Sequence, residues 1–322
     1  MLSEFDLIKK YFSVKPWTHP QLALGIGDDC ALINPQPGMQ LAISSDMLVS
    51  GRHFFPDVDP RSLGHKSLAV NLSDLAAMGA SPLGFTLAIA LPEVNEAWLA
   101  PFSEGLLALA RQFNCPLIGG DTTKGPLNIC ITILGELPSG LALKRTAAQV
   151  GDDIWISGAL GDARLALAAL KNEVRLDAEA FAKAAARLHT PTPRIALGLA
   201  LRGLAHAALD ISDGLTGDLG HILAASAVGA EIDVDSLPIG AVLASQKNAL
   251  QRQFALTGGD DYELCFTASS TRRSQVLTAA QTANTPVTRI GRIVAPTGLR
   301  ILDKNKKELS LALQSFDHFR TD

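Results

Sequence analysis

The stretch AVNLSDLAAMGA, residues Ala69 to Ala80, combines an apolar helical pattern with polar residues in its middle. Leucine and alanine recur at helical spacing, and a glycine near the end provides a C-terminal stop. Asn71 and Asp74 are three residues apart and share one face of the predicted helix. Asp74 lies near the helix C-terminus, where the macrodipole disfavours negative charge. The sequence therefore predicts that positive charge faces Asp74.

The chain has 322 residues, 47% hydrophobic and 19% charged, with a formal net charge of −4. This length suits two domains, predicted at residues 1–145 and 146–322. The charge provides no bulk attraction to nucleic acid or to an anionic membrane. The N-terminal segment has no apolar core of a signal peptide, so a cytoplasmic protein is expected.

Strand-like and helix-like segments alternate in both halves. The first half contains predicted helices at Leu63–Met78 and at about 93–113, and predicted strands in GFTLAIAL and LNICITILGEL. The apolar run MQLAISSDML is predicted to end at a polar turn. After a break near 144–153, DIWISG predicts a strand and GDARLALAALK a helix. The alternation predicts a mixed α+β or α/β fold.

Four cysteines have no CxxC spacing and lie in apolar surroundings: Cys30, Cys115, Cys130 and Cys265. This distribution favours buried thiols in a reducing compartment over a disulfide framework or a zinc site.

Acidic residues recur beside glycine or serine near the ends of apolar segments. Besides Asp74, the motifs are GIGDDCALI, AISSDML, LIGGDTT, LDISDGL and LTGGDDYEL, which contain Asp28, Asp29, Asp46, Asp121, Asp210, Asp213, Asp260 and Asp261. Taken singly, each is explained by a turn or a cap; Asp213, for example, would cap the helix that begins at Leu215. Six such motifs would repel one another unless they converge on cations.

Carboxylate oxygens without histidine or cysteine favour Mg²⁺, which proteins usually share with nucleotide phosphates. The motifs therefore indicate phosphoryl transfer. The sequence has neither a GxxxxGK[ST] loop nor the protein-kinase motifs, so a different ATP-binding architecture is expected.

The ordered motifs SEFDLI, GIGDDCAL, SSDMLVSGRHF, NLSDLAAMGA, IGGDTT, SGALGDA, LDISDGL, TGGDDYEL and SFDHF resemble those of the thiamine-monophosphate kinase family. That family belongs to a superfamily with aminoimidazole ribonucleotide synthetase, selenophosphate synthetase and a hydrogenase maturation factor. The resemblance covers nearly the whole chain. It implies an N-terminal α+β domain that forms a shared β-barrel across a homodimer, an α/β C-terminal domain, and an ATP and metal site in the cleft between the domains.

The same resemblance implies roles for individual residues. ATP would phosphorylate thiamine monophosphate to thiamine diphosphate by direct in-line transfer of the γ-phosphoryl group, assisted by several Mg²⁺ ions. The implied magnesium ligands are Asp28, Ser44, Ser45, Asp46, Asp74, Asp121, Asp210 and Asp213. The implied ATP-binding residues are Gly120, Asp121, Arg145 and Ser212, and those for thiamine monophosphate are His53, Asp261 and Phe316. Asp121, Arg145 and Asp210 would be catalytic.

Three positions depart from the family pattern. Asp260 stands where glutamate is common, Arg52 precedes His53 in SGRHF where EGVHF is more usual, and Phe316 replaces a frequent tyrosine or tryptophan. Taken alone, His53 is equally a histidine satisfied near a turn, and Arg145 a solvated end of a strand.

Two other functions remain open from the residues. One is a different ATP-dependent synthetase of the superfamily acting on another substrate; the other is a nucleotide-binding regulator without turnover. Selenophosphate synthesis would need a reactive cysteine in a mobile loop, and the hydrogenase maturation factor would need a C-terminal cysteine tail, which FDHFRTD lacks. The intact acidic set argues against the silent regulator.

Overall fold

The computed structural model describes residues 3–13 and 19–309, which form two compact units. The first unit contains the described residues up to Leu75 together with Ala80–Gly140. The second contains Ala76–Gly79 and the described residues from Leu141 onward.

The first unit is built on a four-stranded sheet. Its helical segments and strands are α1 (Glu4–Leu7), a π-helical turn (Ile8–Phe12), β1 (Leu22–Leu24), β2 (Leu32–Ile33), β3 (Met39–Val49), α2 (Pro60–Met78), β4 (Ser81–Leu91), α3 (Glu96–Gln112), β5 (Leu117–Lys124) and β6 (Asn128–Pro138). The end of α2, from Ala76 onward, falls in the second unit. The sheet order is β3-β6-β4-β5, and β1 and β2 form a separate two-stranded sheet. Only β4 and β5 are parallel in the larger sheet, so this unit has the predicted α+β character.

Helix α2 has the buried face that its leucine spacing predicts. Leu68, Leu72 and Leu75 are each at most 1% exposed. A Cβ added to Gly135 of β6 would come within 2.9 Å of the Leu75 side chain, so α2 packs closely against the sheet. The predicted helices and the predicted strands of β4 and β6 are confirmed, with small changes at their ends.

Helices α2 and α3 cross with their backbones in near contact. A Cβ on Gly64 of α2 would lie 2.0 Å from the carbonyl oxygen of Phe102, and one on Gly105 of α3 would lie 2.0 Å from that of Arg61. Neither distance is physically possible for a side chain. Glycine at both positions therefore permits a helix contact that alanine would push apart.

The predicted polar turn at Ser44–Asp46 is wrong. These residues lie inside β3, which pairs with β6 without interruption from Met39 to Val49. Backbone pairing with β6 carries the strand through its polar residues, and strand alternation directs Ser44 and Asp46 to one face. Leu41, Ile43 and Met47 lie on the other face, where they are exposed.

The second unit contains a six-stranded sheet in the order β12-β9-β11-β7-β10-β8. Its strands are β7 (Asp152–Ser157), β8 (Ala207–Asp210), β9 (Gly229–Asp233), β10 (Leu264–Ser269), β11 (Val287–Val294) and β12 (Gly298–Leu302). Its helices are α4 (Asp162–Leu170), α5 (Ala178–His189), α6 (Ile195–Ala200), α7 (Leu215–Ser226), α8 (Asn248–Thr257) and α9 (Arg273–Thr282). Only β9 and β12 pair in parallel. The predicted α/β class is therefore corrected to α+β, because alternation of helices and strands does not determine strand direction.

The described sheets are open rather than closed into a barrel, and β3 and β5 are the edges of the four-stranded sheet. Among the described helices, none combines the length and apolarity that crossing a bilayer requires. Cys115 and Cys265 are buried as predicted, and all four thiols are free. Cys30 is exposed, contrary to prediction, because it lies in the solvated loop between β1 and β2. Cys130 is only partly buried, because it lies on the face of β6 opposite the buried isoleucines.

Candidate functional site

Asp46 and Asp74 form a carboxyl pair in the first unit. Asp46 lies on β3 and Asp74 lies near the end of α2, and the Ser44 hydroxyl donates to Asp74 Oδ2. Burial, the charge of Asp74 and a hydrogen bond with its carboxyl raise the pKa of Asp46 to about 7. Two carboxyl groups held this closely repel each other when both are ionised. The pair is therefore suited to a cation, which would offset the charge that the helix end disfavours.

Ser45 does not join this pair through its side chain. Its hydroxyl lies 2.9 Å from Thr132 Oγ1 and donates to the carbonyl oxygen of Ile131 at 3.2 Å. Alternation along β3 puts Ser45 on the face opposite Ser44 and Asp46. The predicted serine ligands are thus separated: Ser44 lies at the carboxyl pair and Ser45 points away from it.

Asp28 and Asp121 are exposed at other positions of the first unit. Asp28 lies in the loop between β1 and β2, and Asp121 lies on β5 opposite Ala88 of β4. Gly120 has φ +147°, and a Cβ there would lie 1.9 Å from the carbonyl oxygen of Leu87. Only glycine fits at this position, because its positive φ would turn a side chain into the backbone of β4.

Within residues 3–13 and 19–309, no three histidine, cysteine, aspartate or glutamate side chains are arranged to hold a metal ion. The donor chemistry of the carboxyl pair nevertheless fits Mg²⁺, because it offers hard oxygen atoms whose mutual repulsion a divalent cation would relieve.

His53 is held by the turn that follows β3. The Val49 amide donates to His53 Nδ1 at 3.0 Å, and the His53 amide donates to the carbonyl oxygen of Val49, also at 3.0 Å. Because Nδ1 accepts a hydrogen bond, the ring in this contact carries its proton on Nε2. The turn therefore fixes the tautomer of the predicted substrate-binding histidine.

Arg145 is exposed, and its backbone is anchored inside the second unit. The Ser226 hydroxyl donates to the carbonyl oxygen of Arg145 at 2.8 Å. The Ala208 amide of β8 donates to the carbonyl oxygen of Lys144 at 3.2 Å. Arg145 thus follows a segment that runs beside β8, whose last residue is Asp210. Asp210 itself is buried.

Three loops that are distant in the sequence meet in the second unit. The Ile211 amide donates to the carbonyl oxygen of Glu263, and the Tyr262 amide donates to that of Ile211, both at 2.8 Å. The Asp260 amide donates to the carbonyl oxygen of Ser212 at 2.8 Å. These bonds join the LDISDGL and TGGDDYEL motifs, and Asp260 and Tyr262 adopt left-handed conformations with φ +66° and +50°.

Asp261 connects the third loop to these two. Its carboxylate accepts the Gly161 amide with both oxygens at 3.0 Å, and the residue is 1% exposed. Burial raises the pKa of Asp261 well above its ordinary value, although the Gly161 amide and Arg187 oppose the shift. The structure therefore places this predicted substrate-binding carboxylate inside the loop cluster, where it fixes the SGALGDA loop.

Asp218 is a buried residue that the sequence reasoning missed. Its Oδ2 accepts the amides of Ser212, Asp213 and Gly214, each at 3.1 Å. Burial raises the pKa of Asp218 to about 6, while these amide hydrogen bonds act in the opposite direction. The hypothesis that Asp213 caps α7 is wrong, since Gly214 is the N-cap and Asp218 accepts the amides. An acid in the first turn after DISDG was the available signal.

Glu263 was also missed, although it lies within the DDYEL motif. It is fully buried and accepts Arg187 Nη2 at 2.7 Å, Arg194 Nε at 2.6 Å and the Ser157 hydroxyl at 2.6 Å. A glutamate entering an apolar strand was the sequence signal. Phe316, predicted to meet the substrate, lies outside the described residues.

Two family models match the chain. The AIR synthase related protein N-terminal domain matches residues 27–137, and the AIR synthase related protein C-terminal domain matches residues 149–304. A thiamine-monophosphate kinase of Salmonella typhimurium is 46% identical over 321 residues, which cover 99% of this chain and 98% of that protein.

Solved structures have the same fold. The crystal structure of thiamine-monophosphate kinase from Stenotrophomonas maltophilia superposes with TM-score 0.83 and 48% identity, covering 88% of this chain and 91% of the other. A second structure, described as AaThiL complexed with AMPPCP and TMP, gives TM-score 0.77 at 29% identity and covers 91% and 92% of the two chains.

Proposed function

The chain belongs to the thiamine-monophosphate kinase family, and we propose that it transfers the γ-phosphoryl group of ATP to the phosphate of thiamine monophosphate, forming thiamine diphosphate. The relative complexed with AMPPCP and TMP supports a site that accepts a nucleotide and a second phosphate compound. Within this chain, the observation that carries the proposal is the Asp46–Asp74 carboxyl pair with the Ser44 hydroxyl bound to it.

The acceptor chemistry explains why an acidic set is needed and a general base is not. A phosphate monoester has a second pKa of about 6, so its attacking oxygen is already ionised at neutral pH. The barrier lies in bringing two negatively charged phosphates into line. Bound Mg²⁺ would offset that repulsion.

The protein residues would bind and orient the two phosphate compounds. We assign Asp46, Asp74 and Ser44 to magnesium on the geometry above. Asp28, Ser45, Asp121, Asp210 and Asp213 complete the proposed ligand set, with Ser45 acting through its backbone because its side chain points away. Gly120, Asp121, Arg145 and Ser212 are proposed to hold ATP. His53 and Phe316 are proposed to meet the thiamine phosphate, and Asp261 to shape that site from within the loop cluster.

A direct assay tests this function. The purified protein with ATP, Mg²⁺ and thiamine monophosphate is expected to form thiamine diphosphate, measured by chromatography. Thiamine without its phosphate is expected to react at least about 10³-fold more slowly, because the phosphate itself is the nucleophile. Equal turnover of the two compounds, or ATP hydrolysis without thiamine diphosphate, would contradict the proposed acceptor.

We also propose that two copies of the chain associate through β3, an edge strand of the first unit that lies within the predicted N-terminal domain of residues 1–145. Leu41, Ile43 and Met47 are 45%, 64% and 54% exposed on one face of this edge strand. An exposed apolar strand at a sheet edge favours pairing with another chain. A second copy that packs its own sheet against this face would cover the three side chains, as a shared barrel requires.

The dimer proposal predicts that Ile43→Glu shifts the protein toward monomer. Burying the new carboxylate against a second apolar strand would cost several kcal/mol. Light scattering at about micromolar concentration is expected to give a dimer mass for the wild type and about half of it for Ile43→Glu. Leu277→Glu, at a 47% exposed leucine of α9, is the control and should leave the mass unchanged. A wild-type monomer would count against the shared barrel.

A further inference from the structure

The amides at the start of α7 are bound by a carboxylate of the same chain. Ser212, Asp213 and Gly214 are consecutive, and their amides all donate to one oxygen, Asp218 Oδ2, at 3.1 Å. Asp218 is only 5% exposed, and its own amide donates to the carbonyl oxygen of Gly214 at 3.0 Å. The side chain and backbone of one residue thus hold both sides of the loop.

Three consecutive loop amides that converge on one point just before a helix form a nest of the kind that can bind an anion. Their N–H groups and the helix dipole together favour a phosphate oxygen. Here the site is filled internally: Oδ2 already receives three donors, and its burial closes it to solvent. A phosphate group cannot use these amides unless the Asp218 carboxylate leaves.

We propose that Asp218 is a positioning residue whose carboxylate takes the place that a phosphate would occupy at the amides of Ser212–Gly214. Because these amides are occupied, the loop presents its side chains, rather than its backbone, to the nucleotide. This inference rests on the proposed function, in which Ser212 and Asp213 meet ATP and magnesium. It assigns the loop to cation-mediated binding of the phosphates, in contrast to a loop that cradles phosphates with backbone amides.

The neighbouring loop that contains Asp260 also restrains the backbone of residues 212–214. The carbonyl oxygen of Ser212 accepts the Asp260 amide at 2.8 Å, so the peptide groups of this segment are held on both their donor and acceptor sides. Loss of the Asp218 carboxylate would release the three donors while the Asp260 contact remains. The expected result is a local opening at residues 212–214 with the fold of the second unit retained.

Hydrogen–deuterium exchange in metal-free buffer tests the internal anion directly. In the wild type, the peptide covering Ser212–Gly214 should exchange slowly, at a rate that inorganic phosphate does not change. In Asp218→Ala, exchange of this peptide should be at least about tenfold faster without phosphate and should slow again with about 20 mM phosphate, which takes the vacated amides. Sodium chloride at the same ionic strength should have no such effect.

Asp152→Asn is the matched control. Asp152 is 3% exposed and accepts the Gln149 amide at 2.9 Å. It pairs with Ser269 at the last residue of β10, whereas Asp210 pairs with Leu264 at the first residue of β10. The two aspartates therefore lie at opposite ends of that strand. In the Asp152→Asn protein, amide exchange at residues 212–214 should match that of the wild type. If Asp218→Ala does not fold, Asp218→Asn replaces it: this variant keeps an acceptor oxygen but no charge, and exchange should be several-fold faster.

Wild-type exchange in Asp218→Ala, or fast exchange that phosphate does not slow, would overturn the proposal. In the kinase assay, Asp218→Ala is expected to lower kcat about 10²-fold with KM for thiamine monophosphate within about twofold, because the loop faces the nucleotide. The exchange measurement needs no turnover. A wild-type protein inactive on thiamine monophosphate would therefore refute the proposed function without deciding the role of Asp218.

Discussion

Asp74→Asn is expected to lower kcat for thiamine diphosphate formation at least about 10³-fold while making the metal-free protein more stable. The substitution removes one ligand of the proposed cation, and a loss of about 4 kcal/mol in transition-state stabilisation corresponds to that factor. It also removes a charge that faces Asp46 and the C-terminal end of α2, both of which disfavour it in the absence of metal.

The stability effect has a defined pH dependence. The folded pKa of Asp46 is raised from an ordinary value of 3.8 to about 7, so the native state holds a proton that the unfolded chain releases. Stability of the metal-free protein should therefore fall as pH rises from about 4 to about 7. Asp74→Asn should reduce this fall and stabilise the protein by on the order of 1 kcal/mol at pH 8, measured by urea unfolding with EDTA.

Asp59→Asn is the control on the same helix. Asp59 accepts the Ser62 amide and hydroxyl at 2.8 Å at the start of α2, and asparagine caps a helix about as well. This variant should retain activity and near-wild-type stability. Full activity of Asp74→Asn at limiting Mg²⁺ would contradict the ligand assignment, and an unfolded Asp74→Asn protein would indicate a structural role.

Glu263→Ala is expected to destabilise the second unit by about 3 kcal/mol, the effect of removing one partner from a buried ionic group. Arg187 and Arg194 have side chains only 26% and 15% exposed, so both would lose their counter-charge without gaining full solvation. The Ser157 hydroxyl, which donates to Glu263 and accepts the Leu264 amide, would also lose a partner. Thermal unfolding should shift downward by about 5–10 °C.

Glu231→Ala separates burial from charge in this test. Glu231 also contacts two arginines, Arg292 and Arg300, but their side chains are 65% and 50% exposed. Water can replace the lost contact there, so the expected cost is below about 1 kcal/mol. Equal shifts for Glu231→Ala and Glu263→Ala would show that burial does not set the strength of the Glu263 network.

Much of the fold was predictable where apolar periodicity is strong. The leucines of α2 and the alternating isoleucines of β6 identify their elements because one face of each must be buried. The segment Ser44–Asp46 misled because a strand paired along its whole length tolerates polar residues on a face that holds a site. The strand directions of the second unit were not predictable, since alternation is the same for parallel and antiparallel pairs.

The candidate site was predictable in its residue types but not in its connections. Motif order identified Asp46 and Asp74, yet their contact depends on how β3 meets α2. Glu263 and Asp218 were missed for a different reason: a buried carboxylate is stable only with its partners, and Arg187 lies 76 residues from Glu263 in the sequence. The sequence marks each carboxylate, as an acid after DISDG and as a glutamate entering an apolar strand, but it does not show which groups bind it.

The contact between α2 and α3 at their glycines fixes the position of Asp74 along α2. Asp74 follows Gly64 by ten residues, about 15 Å along a helix that rises about 1.5 Å per residue. If α2 slid along α3 by one residue, Asp74 would move by about 1.5 Å along the helix axis and turn by about 100° around it. A metal ligand does not tolerate a change of this size. Because the two backbones touch at Gly64 and Gly105, such sliding is blocked by carbonyl oxygens rather than by adjustable side chains. The position of Asp74 in the site is thus set by Gly64 and Gly105, two residues that have no functional group.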